Sequence, residues 1–474
     1  MIGSAKSRAR MFACLLLFIA VSPALAQRAD DATLNSVRQS DQAARGANGS
    51  LGQMTAAEHV RRATVYMLNR AFAEAREHWQ ALIDNYPSDP NVPVAIFGIA
   101  RSYLQAQQYE EARQTFEKVA REYPQTKEGR EGLNFWASSL LHMSRSVEAA
   151  DRYREYIERY PDGERIENAY LNVIDCYREA DQPREALNWV NRTRERFAGT
   201  ATDTNALFTR LRVEINQADW QRAVQTADEL LSKPFQRDVN TSADEVAYLR
   251  AFSLERSGRI EDAVRAYAAI SGSYDSYYGG LATARLSAMP DATGRQEAAA
   301  RTQRARAQIN GAAAGFPAPY RQEILREAKP RAVDPRLVLA IMKQESSFKP
   351  NSKSPAAARG LLQLTIDTAD KYARRAGINR LTEEALYQPQ TSIALGCEYM
   401  AQLARLFANL PEAIAAAYNS GEDNVARWLA RTHQHDSGVF AADIGIPETK
   451  KYVAKVLANY HAYQQLYSAD LTRR

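Results

Sequence analysis

Glu345 is followed along the chain by hydroxyl, amide and phenol groups at fixed distances. Ser354 comes nine residues later and Gln363 eighteen residues later, and Tyr418 and Asn419 follow in the same C-terminal third. A carboxylic acid placed among such groups can protonate the oxygen that joins two sugars, which breaks the glycosidic bond. These residue types in this order predict acid-catalysed cleavage of a polysaccharide.

A helix must hold this carboxyl group in place. Asp334 and Pro335 are typical of a helix start, with aspartate as the N-cap and proline in the first turn. Glu345 falls near the end of that helix, because Lys349 and Pro350 mark its exit. The carbonyl groups of a helix C-terminus and an apolar environment both disfavour an ionised carboxylate. We therefore expect Glu345 to have a raised pKa. The apolar face of the helix is predicted at Leu337, Val338, Ile341 and Met342.

Short motifs surround these residues in a fixed order: Glu345–Ser346, Gly360–Gln363 with the sequence GLLQ, and Ala417–Gly421 with the sequence AYNSG. The ordered set resembles the catalytic domain of the soluble lytic transglycosylases, relatives of goose-type lysozyme. The resemblance implies a lysozyme-like α-helical domain that cleaves the β-1,4 bond between N-acetylmuramic acid and N-acetylglucosamine in peptidoglycan.

The resemblance implies that Glu345 alone is the catalytic residue and that it acts twice, first as acid and then as base, leaving 1,6-anhydro ends. Asp367 and Asp370 lie on a helix that we expect to be solvated, and they match no catalytic position of the family. Two alternatives stay open. One is a lysozyme-type hydrolase that uses the same glutamate, and the other is a repeat-based scaffold with a silent glycan-binding domain.

Five further residues are implied to bind substrate. Ser354 would hold acetamido or lactyl oxygens, and Gln363 would bond the sugar beside the scissile bond. Tyr418, which would steady Glu345, and Asn419 match a tyrosine–asparagine pair of the family. Glu448 lies in a late motif, IPETKKYV, that resembles the family's supporting glutamate. No cofactor is implied, and the histidines present have no metal-binding spacing, so no metal is predicted.

Three positions depart from the pattern of the family. Leu362 replaces a methionine, Thr365–Ile366 replaces a methionine–proline pair, and Ala357 replaces a glycine. The change at Leu362 conserves volume. Thr365 and Ile366 are expected at the rim of the groove, where they would affect which muropeptides fit.

The N-terminal half contains a sequence repeat of 37 residues. A tyrosine–proline step at Tyr86, Tyr123 and Tyr160 is followed at the next interval by Phe197, and an alanine keeps the same period. Small residues allow paired helices to approach closely, and proline ends the second helix of each pair. The pattern resembles tetratricopeptide repeats, which stack into a superhelix with a concave face. The periodic alanines are Ala75, Ala112, Ala149, Ala186 and Ala223, with Ala263 after a longer step.

The predicted fold is all-α throughout, with five consecutive parts. Residues 1–26 have a basic start, an apolar run and Ala-Leu-Ala before the expected cleavage site, which is typical of a signal peptide. Residues 27–55 are expected to be a flexible lead-in and 56–290 a tetratricopeptide-like superhelix. A linker at 291–318 leads to the lysozyme-like catalytic domain at 319–474. The signal peptide predicts export to the periplasm.

The formal net charge is +5, and three of the cations lie in the predicted signal peptide. This balance does not favour nucleic acid or a membrane surface as a partner. Residues 27–290 are mildly acidic and residues 321–474 mildly basic. A mildly basic back half suits a domain that meets an anionic polymer, and the resemblance implies that this partner is the peptidoglycan strand. The repeats are expected to be a docking surface for a periplasmic or envelope protein. The opposing hypothesis is that the superhelix wraps the catalytic groove and completes it.

Overall fold

The structure, a computed structural model, describes residues 30–47 and 49–474. Within these residues the chain forms helices joined by short turns, and no β-strand beyond isolated bridges occurs. The all-α prediction is confirmed. The predicted signal peptide lies outside the described residues. No helix in the described part of the chain has the length and apolar character needed to cross a bilayer.

The N-terminal superhelix consists of antiparallel helix pairs. Its helices are α1 (Asp31–Ala44), α2 (Ala56–Leu68), α3 (Phe72–Asn85), α4 (Val92–Gln105), α5 (Tyr109–Glu122), α6 (Lys127–His142), α7 (Ser146–Arg159), α8 (Ile166–Glu179), α9 (Pro183–Arg196), α10 (Ala201–Asn216), α11 (Trp220–Leu231), α12 (Ala243–Arg256), α13 (Ile260–Ala269), α14 (Tyr277–Ala288) and α15 (Ala292–Gly311).

The period read from the sequence sets the helix boundaries. Tyr86, Tyr123, Tyr160 and Phe197 cap the C-termini of α3, α5, α7 and α9, one in each repeat. All six periodic alanines are fully buried, because at each of them a neighbouring helix packs against the small side chain. The turn inside each pair has one residue with positive φ, and only the last of them is a glycine, Gly258.

The residues predicted as a flexible lead-in contain a helix, α1. The Asp30 side chain accepts a hydrogen bond from Thr33 N and caps this helix. Leu34 and Val37 are buried, and Asp41 accepts hydrogen bonds from Arg62 and Tyr66. Polar composition favoured a loop here, but tertiary packing on α2 and α3 stabilises the helix instead.

The C-terminal domain is an assembly of eight α-helices within the described residues. They are α16 (Arg321–Ala328), α17 (Pro335–Ser346), α18 (Ile366–Ala373), α19 (Pro389–Leu406), α20 (Pro411–Ser420), α21 (Glu422–Arg431), α22 (Ser437–Asp443) and α23 (Pro447–Leu466). Asp334 caps α17 by accepting a hydrogen bond from Arg336 N, and Pro335 is its first residue, as the sequence predicts. Long α23 packs against α17 and α20.

The hydrophobic core of this domain continues into the superhelix. One cluster of buried side chains extends from Leu207 on α10 through α12 to α14 and on into the C-terminal helices. Tyr248 packs so closely on α22 that a Cβ on Gly438 would lie 2.2 Å from its ring. The last repeats and the C-terminal domain therefore form a single packed unit.

Polar contacts join the two parts along the whole superhelix. The contacting pairs are Asp31 with Lys353 and Arg359, Arg70 with Asp367, Tyr109 with Asp423, Arg178 with Asp443, Glu179 with Arg431, Glu245 with Lys450, Tyr248 with Asp436, and Tyr277 with Glu412. The first, middle and last repeats all contact the C-terminal domain. This arrangement favours the hypothesis of a wrapping superhelix over that of a separate docking module.

Candidate active site

Glu345 lies one residue before the end of α17, where the chain leaves the helix in a left-handed turn. Ser347 and Phe348 both have positive φ, 49° and 64°. Ser346 is buried and its hydroxyl donates to the carbonyl of Leu361 at 2.8 Å. The serine next to the acid thus ties the helix end to the loop that carries Gln363.

The carboxyl group of Glu345 accepts a hydrogen bond from Tyr452 on α23, with 2.6 Å between Tyr452 Oη and Glu345 Oε1. Burial raises the pKa of Glu345 to about 7, although the hydrogen bond from Tyr452 lowers it. A carboxyl group with this pKa keeps its proton near neutrality and can both donate and accept one. The raised pKa expected from the sequence is confirmed.

Tyr452 was not among the residues assigned to the site from the sequence, although it lies in the late motif. The residue predicted to steady the glutamate, Tyr418, makes a different contact. Its hydroxyl donates to the carbonyl of Leu362 at 2.8 Å, and its ring packs on Tyr399 with centroids 5.2 Å apart. The hydrogen bond to Glu345 thus comes from Tyr452, while the Tyr418 hydroxyl bonds the neighbouring loop.

Gln363 and Ser354 lie in the loop between α17 and α18. Gln363 Nε2 donates to the carbonyls of Ser352 and Gly360 at 3.0 and 2.8 Å, which fixes the side chain against its own loop. Ser354 Oγ accepts a hydrogen bond from the backbone N–H of Ala358 at 3.1 Å. Both side chains are partly exposed. The Gln363 amide oxygen and the Ser354 hydroxyl hydrogen have no protein partner among the described residues.

Asn419 and Glu448 flank the start of α23. Asn419 Oδ1 accepts a hydrogen bond from Thr449 at 2.7 Å, which joins α20 to α23. Glu448 is exposed on the first turn of α23 and makes no hydrogen bond or ion pair within the described residues. The structure therefore gives Asn419 a bracing contact and leaves Glu448 open to solvent.

The loop tolerates its departures from the family pattern. Ala357 is buried with φ of 58°, a conformation that costs an alanine about 1 kcal/mol and a glycine nothing. Leu362 is buried against Gly396, where a Cβ would lie 2.3 Å from the leucine side chain. Thr365 is the residue before the first turn of α18, and its side chain makes no capping hydrogen bond. The backbone course is thus retained without the usual glycine.

A second acid does not accompany Glu345. Burial and the Tyr452 hydrogen bond are the causes of its pKa shift, and no carboxylate among the described residues contributes. Asp367 was expected on a solvated helix, but it pairs with Arg70 of the superhelix at 2.6 Å because α18 faces the first repeat. Asp370 is exposed. No cluster of three metal-ligating side chains occurs within residues 30–47 and 49–474.

The helical fold, with Glu345 half-buried at the end of α17, agrees with the expected lysozyme-like domain behind a tetratricopeptide-like superhelix. Residues 322–440 match the family model of the transglycosylase SLT domain, and residues 94–126 match a tetratricopeptide repeat. The SLT match falls on the part of the chain that carries the motifs and agrees with the resemblance that they indicate.

Relatives and one solved structure agree with this assignment. The chain is 32% identical over 157 residues to the soluble lytic murein transglycosylase of Escherichia coli K12, which is 33% of this chain and 24% of that protein. It is 33% identical over 150 residues to the soluble lytic murein transglycosylase of Salmonella typhimurium. This alignment covers 31% of this chain and 23% of that protein. These matches span about a quarter of the relatives' length. The X-ray structure of an inactive mutant of the lytic transglycosylase Slt from Pseudomonas aeruginosa has a TM-score of 0.52 at 17% identity, covering 86% of this chain and 81% of that one. This likeness shows the fold.

Proposed function

We propose that the protein is a peptidoglycan lytic transglycosylase that cleaves the β-1,4 bond between N-acetylmuramic acid and N-acetylglucosamine in cell-wall turnover or remodelling. The observation that carries the proposal is Glu345, a carboxyl group with a pKa of about 7 that no other carboxylate of the described residues influences. One acid that alternates between protonated and ionised forms suits this reaction, whereas most glycosidases use two carboxylates.

In the first step Glu345 donates its proton to the glycosidic oxygen, and the bond between that oxygen and the anomeric carbon breaks. In the second step the Glu345 carboxylate takes the proton of the 6-hydroxyl of the muramic acid. That oxygen bonds to the anomeric carbon and closes a 1,6-anhydro ring. The nucleophile is already tethered to the substrate, which favours the ring over attack by water. Glu345 ends protonated and ready for another cycle.

The neighbouring residues are placed to bind the substrate or to orient Glu345. We assign substrate contacts to Ser354, Gln363, Tyr418, Asn419 and Glu448. Tyr452 holds the carboxyl group in one orientation and stabilises its ionised form between the two steps. The Gln363 amide oxygen and the Ser354 hydroxyl hydrogen, both without a protein partner among the described residues, are suited to bind sugar amides and oxygens.

The domain division and the location belong to the same proposal. Residues 1–26 act as a signal peptide for export to the periplasm, 56–290 as the superhelix, 291–318 as a linker that contains the helix α15, and 319–474 as the catalytic domain. In this division the superhelix both supports the catalytic domain and offers its outer surface to an envelope protein.

Mass analysis of the products from purified peptidoglycan tests the function. Anhydro-muropeptides support the proposal. Products that carry an added water and a reducing end would show a hydrolase instead. Absence of any product from a folded full-length protein would favour the silent scaffold.

A further inference from the structure

A polar cavity of about 160 Å³ lies on the inner side of the superhelix, between three repeats and the start of α23. It is several times larger than the ~30 Å³ that one water occupies in the liquid. Side chains of α6, α8 and α10 form one wall. Ile444 to Pro447 and Lys450 form the other.

Equivalent positions of the repeat build the inner wall. Asn168 and Asn205 are 37 residues apart, as are Asn172 and Thr209, and Asp175 and Arg212. The 37-residue period, which served to identify the repeats, thus also aligns polar groups in rows across the concave face. Asn134 and Asn240 also line the cavity. The carboxamide of Asn205 already bonds the backbone of Asp238 and Asn240, and that of Asn134 bonds the carbonyl of Arg130, whereas Asn172 faces the cavity without such a bond among the described residues. A carboxamide has both a donor and an acceptor, as a peptide group has.

One cation of this wall has incomplete partners. The Arg212 side chain is nine-tenths buried, and its Nε makes no hydrogen bond. Its carboxylate contacts are long, 3.4 Å to Asp443 and 3.9 Å to Asp175, because Arg178 and Arg431 make the shorter contacts to Asp443. Burial lowers the pKa of Arg212 to about 10. A buried guanidinium in this condition would be stabilised by another carboxylate.

Cations lie over two aromatic rings of the cavity, Phe208 and Phe135. Arg212 and Lys450 lie 5.0 and 4.6 Å from the centre of the Phe208 ring. Phe135 lies against Phe116 with centroids 5.3 Å apart and beside Arg165 at 6.0 Å. Carbohydrate sites usually offer a free ring face, whereas these rings are covered by cations and by another ring. The lining therefore fits an acidic peptide better than a glycan.

The helix α23 contributes to both the cavity and the active site. Pro447 and Lys450 line the cavity, and Tyr452, two residues after Lys450, donates to Glu345. We propose that this cavity binds the acidic peptide that peptidoglycan strands carry, with Asn172 on a peptide group and Arg212 on a carboxylate. The inference rests on the proposed function for the source of the peptide. The superhelix would then contribute to substrate selection and not only to support.

Calorimetric titration of the full-length Glu345→Gln protein tests the site. The probes are the free tripeptide L-alanyl-γ-D-glutamyl-diaminopimelate and a peptide-free glycan tetramer. We expect the tripeptide to bind with 1:1 stoichiometry. Adding Asn172→Ala should lower the affinity for the tripeptide about fivefold to tenfold, since one hydrogen-bonded pair is lost. Adding Asn85→Ala, on the exposed outer helix α3, should not change it.

Arg212→Lys is a second variant, which keeps the charge and removes the planar donor fork. If its melting temperature is unchanged, the Arg212→Lys protein should also bind the tripeptide more weakly. No tripeptide binding, or binding indifferent to Asn172→Ala and to folded Arg212→Lys, would overturn the inference. Glycan binding that depends on Asn172 while peptide binding does not would also overturn it. Product analysis of the wild-type enzyme on peptide-free glycan strands tests the lyase separately, so either idea can fail alone.

Discussion

Glu345 is held under two opposing influences on its proton. Burial favours the neutral acid, and the Tyr452 hydroxyl favours the carboxylate. The proposed reaction needs both forms in turn, because the same group must give a proton and then take one. A carboxyl group that is partly protonated and partly ionised near neutral pH can therefore serve first as the acid and then as the base.

Replacing Glu345 with glutamine removes the transferable proton and keeps the shape of the side chain. We expect the rate of anhydro-product formation to fall by at least about 10²–10⁴-fold, the usual contribution of general acid–base catalysis. The matched control is Glu384→Gln, which alters an exposed glutamate of the same domain. Near-normal turnover by folded Glu345→Gln protein would refute the assignment.

The same substitution should affect stability in a pH-dependent way. The pKa of Glu345 is raised from 4.5 to about 7 on folding, so the folded state binds the proton more tightly than the unfolded state. The stability that this gives is fully present below pH 4.5 and is lost as pH rises through about 7. Glutamine cannot ionise. Relative to wild type, Glu345→Gln should therefore melt at progressively higher temperature between pH 5 and pH 8, as calorimetry would measure, and a constant difference would contradict this.

Tyr452→Phe removes the hydrogen bond that stabilises the Glu345 carboxylate. The pKa of Glu345 should then rise further, so the loss of activity on the alkaline side should move to higher pH. The profile of kcat/KM against pH measures this. Tyr418→Phe is the control, since its hydroxyl bonds the Leu362 carbonyl and not Glu345. An alkaline limb that does not move in Tyr452→Phe would argue against this role.

At the scale of elements, regular patterns in the sequence were enough to predict the boundaries of the repeat helices and the start of α17. The 37-residue period fixed where α3, α5, α7 and α9 end, and Asp334–Pro335 fixed where α17 starts. These features depend on local residue types, namely small residues, caps and prolines. The family motifs likewise indicated Glu345.

Contacts between distant residues could not be predicted in this way. Tyr452 lies 107 residues from Glu345, and no local feature of the sequence relates the two. The helix α1 was missed because its partners, among them Tyr66 and His78, belong to other helices. Arg70 and Asp367 are 297 residues apart. In each case tertiary packing, which sequence patterns do not encode locally, decided the outcome.

The buried charges between α8 and the C-terminal helices allow a test at this scale. Burial raises the pKa of Asp443, but the guanidiniums of Arg178, Arg431 and Arg212 outweigh it and hold the pKa below its usual range. Asp443→Asn leaves buried cations without their carboxylate, which should destabilise the fold by about 3–5 kcal/mol. Denaturant unfolding measures the change. The exposed Asp370→Asn should have little effect, and equal effects of the two would contradict this account.

On the scale of the whole molecule, the superhelix and the C-terminal domain are not independent. The core that begins at Leu207 on α10 runs without interruption into the helices around Glu345. Earlier repeats have cores of their own and reach the domain through polar contacts. Hydrophobic packing in the last repeats and ion pairs in the first repeats therefore stabilise the same domain in different ways.

This division predicts where the chain can be cut. A fragment of residues 319–474 exposes the apolar surface that α10 to α14 cover, so it should aggregate or unfold at a much lower temperature than the full chain. A fragment of residues 201–474 keeps the continuous core and should fold. Circular dichroism melting of both, with activity measured on a short glycan, compares them directly. The shorter fragment would contradict this reasoning if it melted cooperatively near the temperature of the full chain and turned over the glycan, because the superhelix would then be only a docking surface.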